Sequence, residues 1–319
     1  MNILVYLIIT VLLTTAELFY FKLANKFNII DKPNKRSSHT RITLRGGGVI
    51  FYFGAVAAFI VSGFEYPCFF LGLSLITIVS FVDDIRCVPN KARLVIQFFS
   101  MLLMFYQLNM FGGFPFWYIL IAVVFCTGII NAYNFMDGIN GITGGYSLAV
   151  LLPLLYINIY VIEFINTSYL LVTIISVLVF NFFNFRKKAK CFAGDVGSVS
   201  IAFIILFALG ALILKTGNLT YIILLIVYGV DSILTIIHRL MLHENIFEAH
   251  RKHMYQIMAN ELHIPHVVVS FIYMIVQLAI SCGFILLEES NYAYFVIVLS
   301  LLCAVYLCFM KKWFNLYKM

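Results

Sequence analysis

Residues 197–214 read GSVSIAFIILFALGALIL, and four residues later the chain turns apolar again with LTYIILLIVYGVDSILTII at 219–237. The first run carries no charge and the second carries only Asp231. Roughly 17 to 25 apolar residues wound as a helix match a hydrocarbon layer about 30 Å thick. Outward from this pair the pattern repeats at 3–21, 47–63, 67–82, 93–110, 115–130, 143–161 and 168–185 before it, and at 266–287 and 293–310 after it. With 63% hydrophobic and 11% charged residues and a mean hydropathy of +1.01, the chain predicts an all-α, polytopic bundle of about eleven spans.

The run 3–21 lacks a basic flank and a small-residue cleavage site, so it reads as the first span and not as a leader. The seven cysteines form no CxxC pair and sit mostly within apolar runs, as packing residues do. A formal charge of +7 raises nucleic acid as a partner, but the basic residues are scattered over short loops with no soluble basic domain. Orientation explains them better. With the N-terminus outside and the C-terminus cytoplasmic, all but one of the 21 Lys and Arg residues fall inside, Lys215 being the exception. No repeat or linker divides residues 1–319, so one integral-membrane domain is expected, with a cytoplasmic loop at about 238–265.

This threading brings VDDIRCVPNKAR (82–93), NAYNFMDGINGITGG (131–145), KAKCFAGDVGS (188–198) and HRLMLHENIFEAHRKHMYQ (238–256) to the cytoplasmic face. Asp83 and Asp84 are adjacent carboxylates, costly near lipid unless a cation neutralises them, with Lys91 and Arg93 following. They suit a solvated loop cap as well as the hard oxygen ligands of Mg²⁺. Asn131, Asn134, Asp137 and Asn140, among glycines, suit a base, a ribose or a sugar. Asp195 is equally a helix cap or the completion of an oxygen-rich metal site with Asp83 and Asp84.

Lys187 and Lys188 fit topology, and Lys190 fits phosphate. Asp231, Thr235 and His238 share one helical face. Arg239, His250, Arg251 and His253 favour oxyanion contacts over zinc, because cations beside a dication repel it. Ser37, Ser38 and His39, before Gly46–Gly48, suit an ordinary basic loop or a phosphate contact. Glu17 and Asp231 within spans support a rival reading as an ion- or proton-coupled transporter, which expects polar residues at the midplane.

RSSH followed by RGGG, VDD, NFMDG, GDVGS and AHRKHMYQ occur in the order found in the polyprenyl-phosphate N-acetylhexosamine-1-phosphate transferases, which this chain resembles from about residue 31 to residue 256. The AHRxHxYQ loop resembles the branch that starts O-antigen-like glycans more than the peptidoglycan-precursor branch. The resemblance implies transfer of a sugar 1-phosphate from a UDP-N-acetylhexosamine to undecaprenyl phosphate, releasing UMP, at the cytoplasmic face of the bacterial inner membrane. It also implies Mg²⁺, with Mn²⁺ as a substitute, and a homodimer. By the family pattern Asp83 and Asp84 serve metal and lipid-phosphate activation, with Asp84 and Asp195 as metal ligands. Asn131, Asn134 and Asp137 belong to the nucleotide-sugar site, Lys91 and Lys190 are basic positions beside the acids, and His238, Arg239, His250, Arg251 and His253 contact substrate, with His250 catalytic. Two departures stand out: DGING has Asn140 where relatives often carry a second Asp, and KKAK replaces PPAK before GDVGS.

Overall fold

The computed structural model describes residues 3–33, 38–39, 41–245, 250–287 and 291–313. Ser37 and residues 246–249 of the loop expected at about 238–265 lie outside the described residues. Helix α1 (Ile3–Lys26) leads into a short antiparallel ribbon, β1 (Ile30–Asp31) and β2 (Thr43–Leu44), the one departure from an all-α fold among the described residues. There follow α2 (Val49–Val61), α3 (Pro67–Ile85), α4 (Asn90–Gln107), the single turn α5 (Met110–Gly113), α6 (Phe116–Met136), α7 (Ile142–Tyr160), α8 (Thr167–Asn184) and α9 (Gly194–Thr216). A 3₁₀ segment (Leu219–Leu225) runs into α10 (Ile226–Met241), then come α11 (Met254–Gln256) with a π turn (Ile257–Glu261), α12 (His266–Leu286) and α13 (Asn291–Trp313).

Every expected span is helical. In lipid a backbone N–H or C=O has no water to bond, so apolar segments satisfy themselves as helices. Nine segments among the described residues are long and apolar enough to cross a membrane, and the chain is a multi-pass membrane protein. The expected count of eleven includes two helices that fall short of that measure. The 13 residues of α2 reach only about 20 Å at 1.5 Å per residue. The 18 residues of α4 open on Asn90, Lys91 and Arg93, which dilute its apolar run.

Apolar on all sides, α9 is the axis of the bundle and packs against α2, α3, α6 and α7. Peripheral helices turn large side chains outward, among them Leu7 and Val11 of α1, Trp117 and Val124 of α6, and Ile297 and Leu301 of α13. This surface suits a lipid solvent. A Cβ on Gly48 would fall on the Cα of Gly197, so the chain entering α2 touches α9 backbone to backbone.

Where the 3₁₀ segment changes pitch into α10, freed backbone groups turn to buried side chains. The Gln277 amide donates to Ile223 O at 3.1 Å, and its oxygen accepts from Val227 N at 3.1 Å and from the Tyr146 hydroxyl at 2.8 Å. Irregular backbone at membrane depth survives where protein groups satisfy it in this way.

Candidate active site

The N-terminus of α9 organises one end of the bundle. Its first N–H groups have no partner within the helix, and Asp84, from the last turn of α3, supplies one: its two oxygens accept from the N–H groups of Asp195 and Val196, each at 2.9 Å. Gly194 permits the approach. Its φ is +71°, and a Cβ would lie 2.5 Å from Asp84 Oδ2 and 2.9 Å from Gly46 N, so no other residue type fits.

Onto this corner folds the loop after β2. Gly47 N donates to Phe192 O at 2.9 Å, Gly48 N to Ala193 O at 3.1 Å, and the Tyr20 hydroxyl of α1 to Arg45 O at 2.6 Å. Those bonds aim the Arg45 guanidinium at two acids, with Nε 2.6 Å from Asp84 Oδ1 and an Nη 3.2 Å from Asp195 Oδ1. From the first turn of α4, Arg93 reaches Asp83 Oδ2 at 2.7 Å and Asp195 Oδ2 at 3.2 Å. Asp83 Oδ1 also accepts from Val88 N at 2.7 Å.

The three acids predicted to converge therefore do so, in the order Asp83, Arg93, Asp195, Arg45, Asp84. Three ionised carboxylates against two guanidiniums leave one negative charge. Burial opposes charge on Arg45, yet Asp84 and Asp195 hold its pKa above the ordinary guanidinium value.

Beside this cluster, α6 ends on Asn134 and Asp137. Asn134 accepts from the Ser198 hydroxyl of α9 at 3.1 Å, and Asp137 accepts from Thr143 at 2.5 Å. Burial pushes the Asp137 carboxyl up to about 7, against the Thr143 hydrogen bond and with added repulsion from Asp195 and Asp84. Asn140 is buried and holds another part of the wall: its amide nitrogen donates to Arg186 O at 3.0 Å and Lys187 O at 3.4 Å. Asn184 clips the same turn, accepting from Gly141 N at 2.7 Å and donating to Cys191 O at 2.8 Å.

The segment 250–256 docks over α6 and α10. Asp231 caps it, accepting from Met254 N at 2.9 Å and from the Tyr273 hydroxyl at 2.7 Å, with His253 Nδ1 at 3.5 Å. The Tyr255 hydroxyl donates to Phe135 O at 2.8 Å, two residues before Asp137. The rings of His250 and His253 lie 4.9 Å apart and both face Phe135 at 6.5 Å. Burial, with His253 and Arg239 nearby, pushes His250 down to about 3, so its imidazole is neutral at ordinary pH. Its Nδ1 accepts from Lys252 N at 3.3 Å, which leaves the proton on Nε2.

Other expected site residues are placed differently. Asn131 donates to Thr127 O within its own helix at 2.9 Å. Lys91 is exposed and enters no ion pair among the described residues, and Arg93, two residues on, meets the acids instead. Lys190 is exposed, with its ammonium 5.8 Å from the Phe183 ring centre. Arg239 is buried, with Nε 3.1 Å from Glu244 and an Nη 2.6 Å from Asn245 O, so it braces the loop from within. Arg251 pairs with Glu261 at 3.6 Å, and His238 is half-buried near Lys252 and Glu244. Glu17 lies beneath the Arg45–Gly48 loop, 3.6 Å from Cys191 Sγ.

Sequence reasoning missed the bridging by Arg45 and Arg93, the clips made by Asn184 and Asn140, and Tyr255 as the loop's latch. For Arg45 the signal was its place directly before three glycines, where backbone docks and the arginine alone projects.

No group of three or more His, Cys, Asp or Glu side chains among the described residues is arranged to enclose a metal by itself. Mg²⁺ needs less, since it draws ligands from water and substrate phosphates as well as one or two carboxylates. The all-oxygen donor set fits that ion. Asp195 fits best, because no backbone N–H group holds its oxygens, which meet Arg45, Arg93 and the Asp83 carboxyl, whereas both oxygens of Asp84 are held by backbone N–H groups.

Among characterised sequences the chain is similar to the probable undecaprenyl-phosphate N-acetylglucosaminyl 1-phosphate transferase of Bacillus subtilis, 28% identical over 73% of this chain and 70% of that protein. It is 25% identical to the undecaprenyl-phosphate alpha-N-acetylglucosaminyl 1-phosphate transferase of Thermotoga maritima over 89% of each chain. The corresponding Yersinia pestis protein is 28% identical over 57% of this chain, which spans just over half of that relative's length, 55%. Residues 66–234, which hold Asp83, Asp84, Asp137, Asp195 and Asp231, match the model of glycosyl transferase family 4, so the chain belongs to that family.

Proposed function

We propose that this protein transfers N-acetylhexosamine 1-phosphate from a UDP-sugar to undecaprenyl phosphate, giving a lipid-diphosphate-linked sugar and UMP. It would do so on the cytoplasmic side of the inner membrane, as the first membrane step of surface-glycan synthesis. The supporting observation is the convergence of Asp83, Asp84 and Asp195 with Arg45 and Arg93 at the end of the bundle where the basic loops lie. The names of the relatives make N-acetylglucosamine the first sugar to test on the proposed UDP-linked donor.

In the reaction, an oxygen of the lipid phosphate attacks the β-phosphorus of the donor, and the bond from that phosphorus to the UMP oxygen breaks, UMP leaving with the electron pair. A phosphate monoester with a second pKa near 6 is already largely dianionic, so little proton abstraction is required. Direct attack with Asp83 orienting the acceptor is preferred to a covalent aspartyl intermediate. Mg²⁺, held by Asp195 with an oxygen of a neighbouring acid, would supply charge neutralisation at the diphosphate. Asn134 and Asp137 border the nucleotide-sugar position. Neutral His250, through Nε2–H, and the rim residue Arg251 are hydrogen-bond donors towards the donor's polar groups.

A transport reading has less support. Asp231 is engaged as the cap of α11, and Glu17 lies at the same end beneath the Arg45 loop, whereas carriers need acids opening to both sides. The test is incubation of purified protein with undecaprenyl phosphate, Mg²⁺ and a panel of UDP-N-acetylhexosamines. UMP release with a new lipid product from at least one donor is expected, and no product from any donor overturns the proposal.

A further inference from the structure

The two arginines differ from ordinary structural counter-ions in what they leave behind. Asp84 keeps the N–H groups of Asp195 and Val196 whether or not Arg45 is present, and Asp83 keeps Val88 N–H whether or not Arg93 is present. Asp195 receives no backbone N–H; besides the two arginines its side chain meets the Asp83 carboxyl, which repels its charge and gives it no counter-charge. One oxygen receives Arg45 at 3.2 Å and the other receives Arg93 at 3.2 Å, longer than the 2.6 and 2.7 Å the same arginines make to Asp84 and Asp83.

Exposure follows the same division. The side chains of Arg45 and Arg93 are 34% and 22% exposed, those of Asp84, Asp83 and Asp195 are 0%, 9% and 14%. The acids form the floor of the site and the guanidiniums form its open side.

An oxygen-seeking divalent cation on Asp195 would meet two positive groups already bonded to the same oxygens, and like charges at such distances repel strongly. Both cannot hold Asp195 fully. A guanidinium that loosens from Asp195 keeps its anchor on Asp84 or Asp83 and turns the rest of its planar fork outward, in the geometry that grips phosphate oxygens through paired bonds. We propose that Arg45 and Arg93 are exchangeable occupants of the Asp195 carboxylate, displaced from it by a divalent cation and thereby freed to bind the substrates' phosphate groups. This rests on the transferase reading and deepens it: the arginines couple cation entry to phosphate capture.

The exchange predicts effects of opposite sign in one variant. In purified full-length protein without substrate, Arg45→Met and Arg93→Met should each bind Mn²⁺ more tightly by about fivefold or more, read from free Mn²⁺ by electron paramagnetic resonance, because a competitor is gone. With Mn²⁺ present, the same variants should bind phosphate ligands about tenfold or more weakly. UDP reports the donor diphosphate and undecaprenyl phosphate in detergent reports the acceptor, so weakening in one arm assigns that arginine to that substrate.

Arg45→Lys and Arg93→Lys keep the charge but lose the fork, and cover the case in which the methionine variants do not fold. They should retain near-parental Mn²⁺ affinity and still lose phosphate affinity. Unchanged or weaker Mn²⁺ binding in folded methionine variants overturns the inference, as does unchanged affinity for both phosphate ligands in the lysine variants. These shifts without sugar transfer by the parental protein would sink the transferase proposal and leave the exchange standing. Transfer by the parental protein without the shifts would do the reverse.

Discussion

Asp84 and Asp195 are the two aspartates that the family resemblance assigns to one metal, yet their bonding gives them different tasks. Asp84 spends its oxygens on the start of α9, so Asp84→Asn removes an acceptor and a counter-charge and should cost about 1–3 kcal/mol of stability. Asp195→Asn leaves the helix capped; it should retain the parental melting temperature within a few degrees while transfer falls by about a hundredfold or more. Thermal unfolding and UMP release on the two variants separate the roles, and equal loss of stability in both would refute the division. Position 140 is the second test at this scale. Its amide nitrogen faces two carbonyl oxygens, so Asn140→Asp sets a carboxylate against them and should destabilise by about 1–3 kcal/mol, although the family resemblance leads one to expect an acid there. A gain in melting temperature would contradict this assignment.

At the level of elements, the segment 250–256 owes its position to α10 through Asp231 and to α6 through Tyr255. Its protonation sets a pH limit. His250 has an ordinary pKa of 6.5 and is pushed down to about 3 by burial and its cationic neighbours. Between those values the undocked segment binds a proton that the docked one excludes, so docking is fully favourable above about pH 6.5 and weakens as pH falls towards 3. Hydrogen exchange of residues 253–256 should accelerate on acidification over that window, and His250→Gln should flatten the response. An unaltered pH profile in that variant would assign the dependence to another group. Helix α9 illustrates the opposite extreme, an element buried along most of its length whose polar work is done by its first turn and by Ser200, bonded to Thr77 of α3 at 2.8 Å.

For the molecule as a whole, orientation is the open quantity, and Cys87 reports it. It is exposed in the turn between α3 and α4, beside the acids, whereas exposed Cys282 and Cys308 lie on apolar helices α12 and α13. A membrane-impermeant thiol reagent should label Cys87 in inverted vesicles and spare it in intact cells, and labelling from outside would reverse the predicted topology. Much of this architecture was legible in the chain. Hydrophobic length dictates a helix wherever water is absent, so each expected span appears, and only the short α2 and the polar start of α4 miss the measure of a full crossing. The convergence of Asp83, Asp84 and Asp195 was legible too, because topology carries all three to one face.

What the sequence could not determine is which groups answer one another across that face. Arg45 meets an acid 39 residues away and another 150 residues away, and although the three glycines after it mark it locally, nothing local names those partners. Local pattern encodes length, polarity and side of the membrane. Pairing depends on where separate helix ends and their free N–H groups come to rest, and that is decided only when packing around α9 fixes them in space.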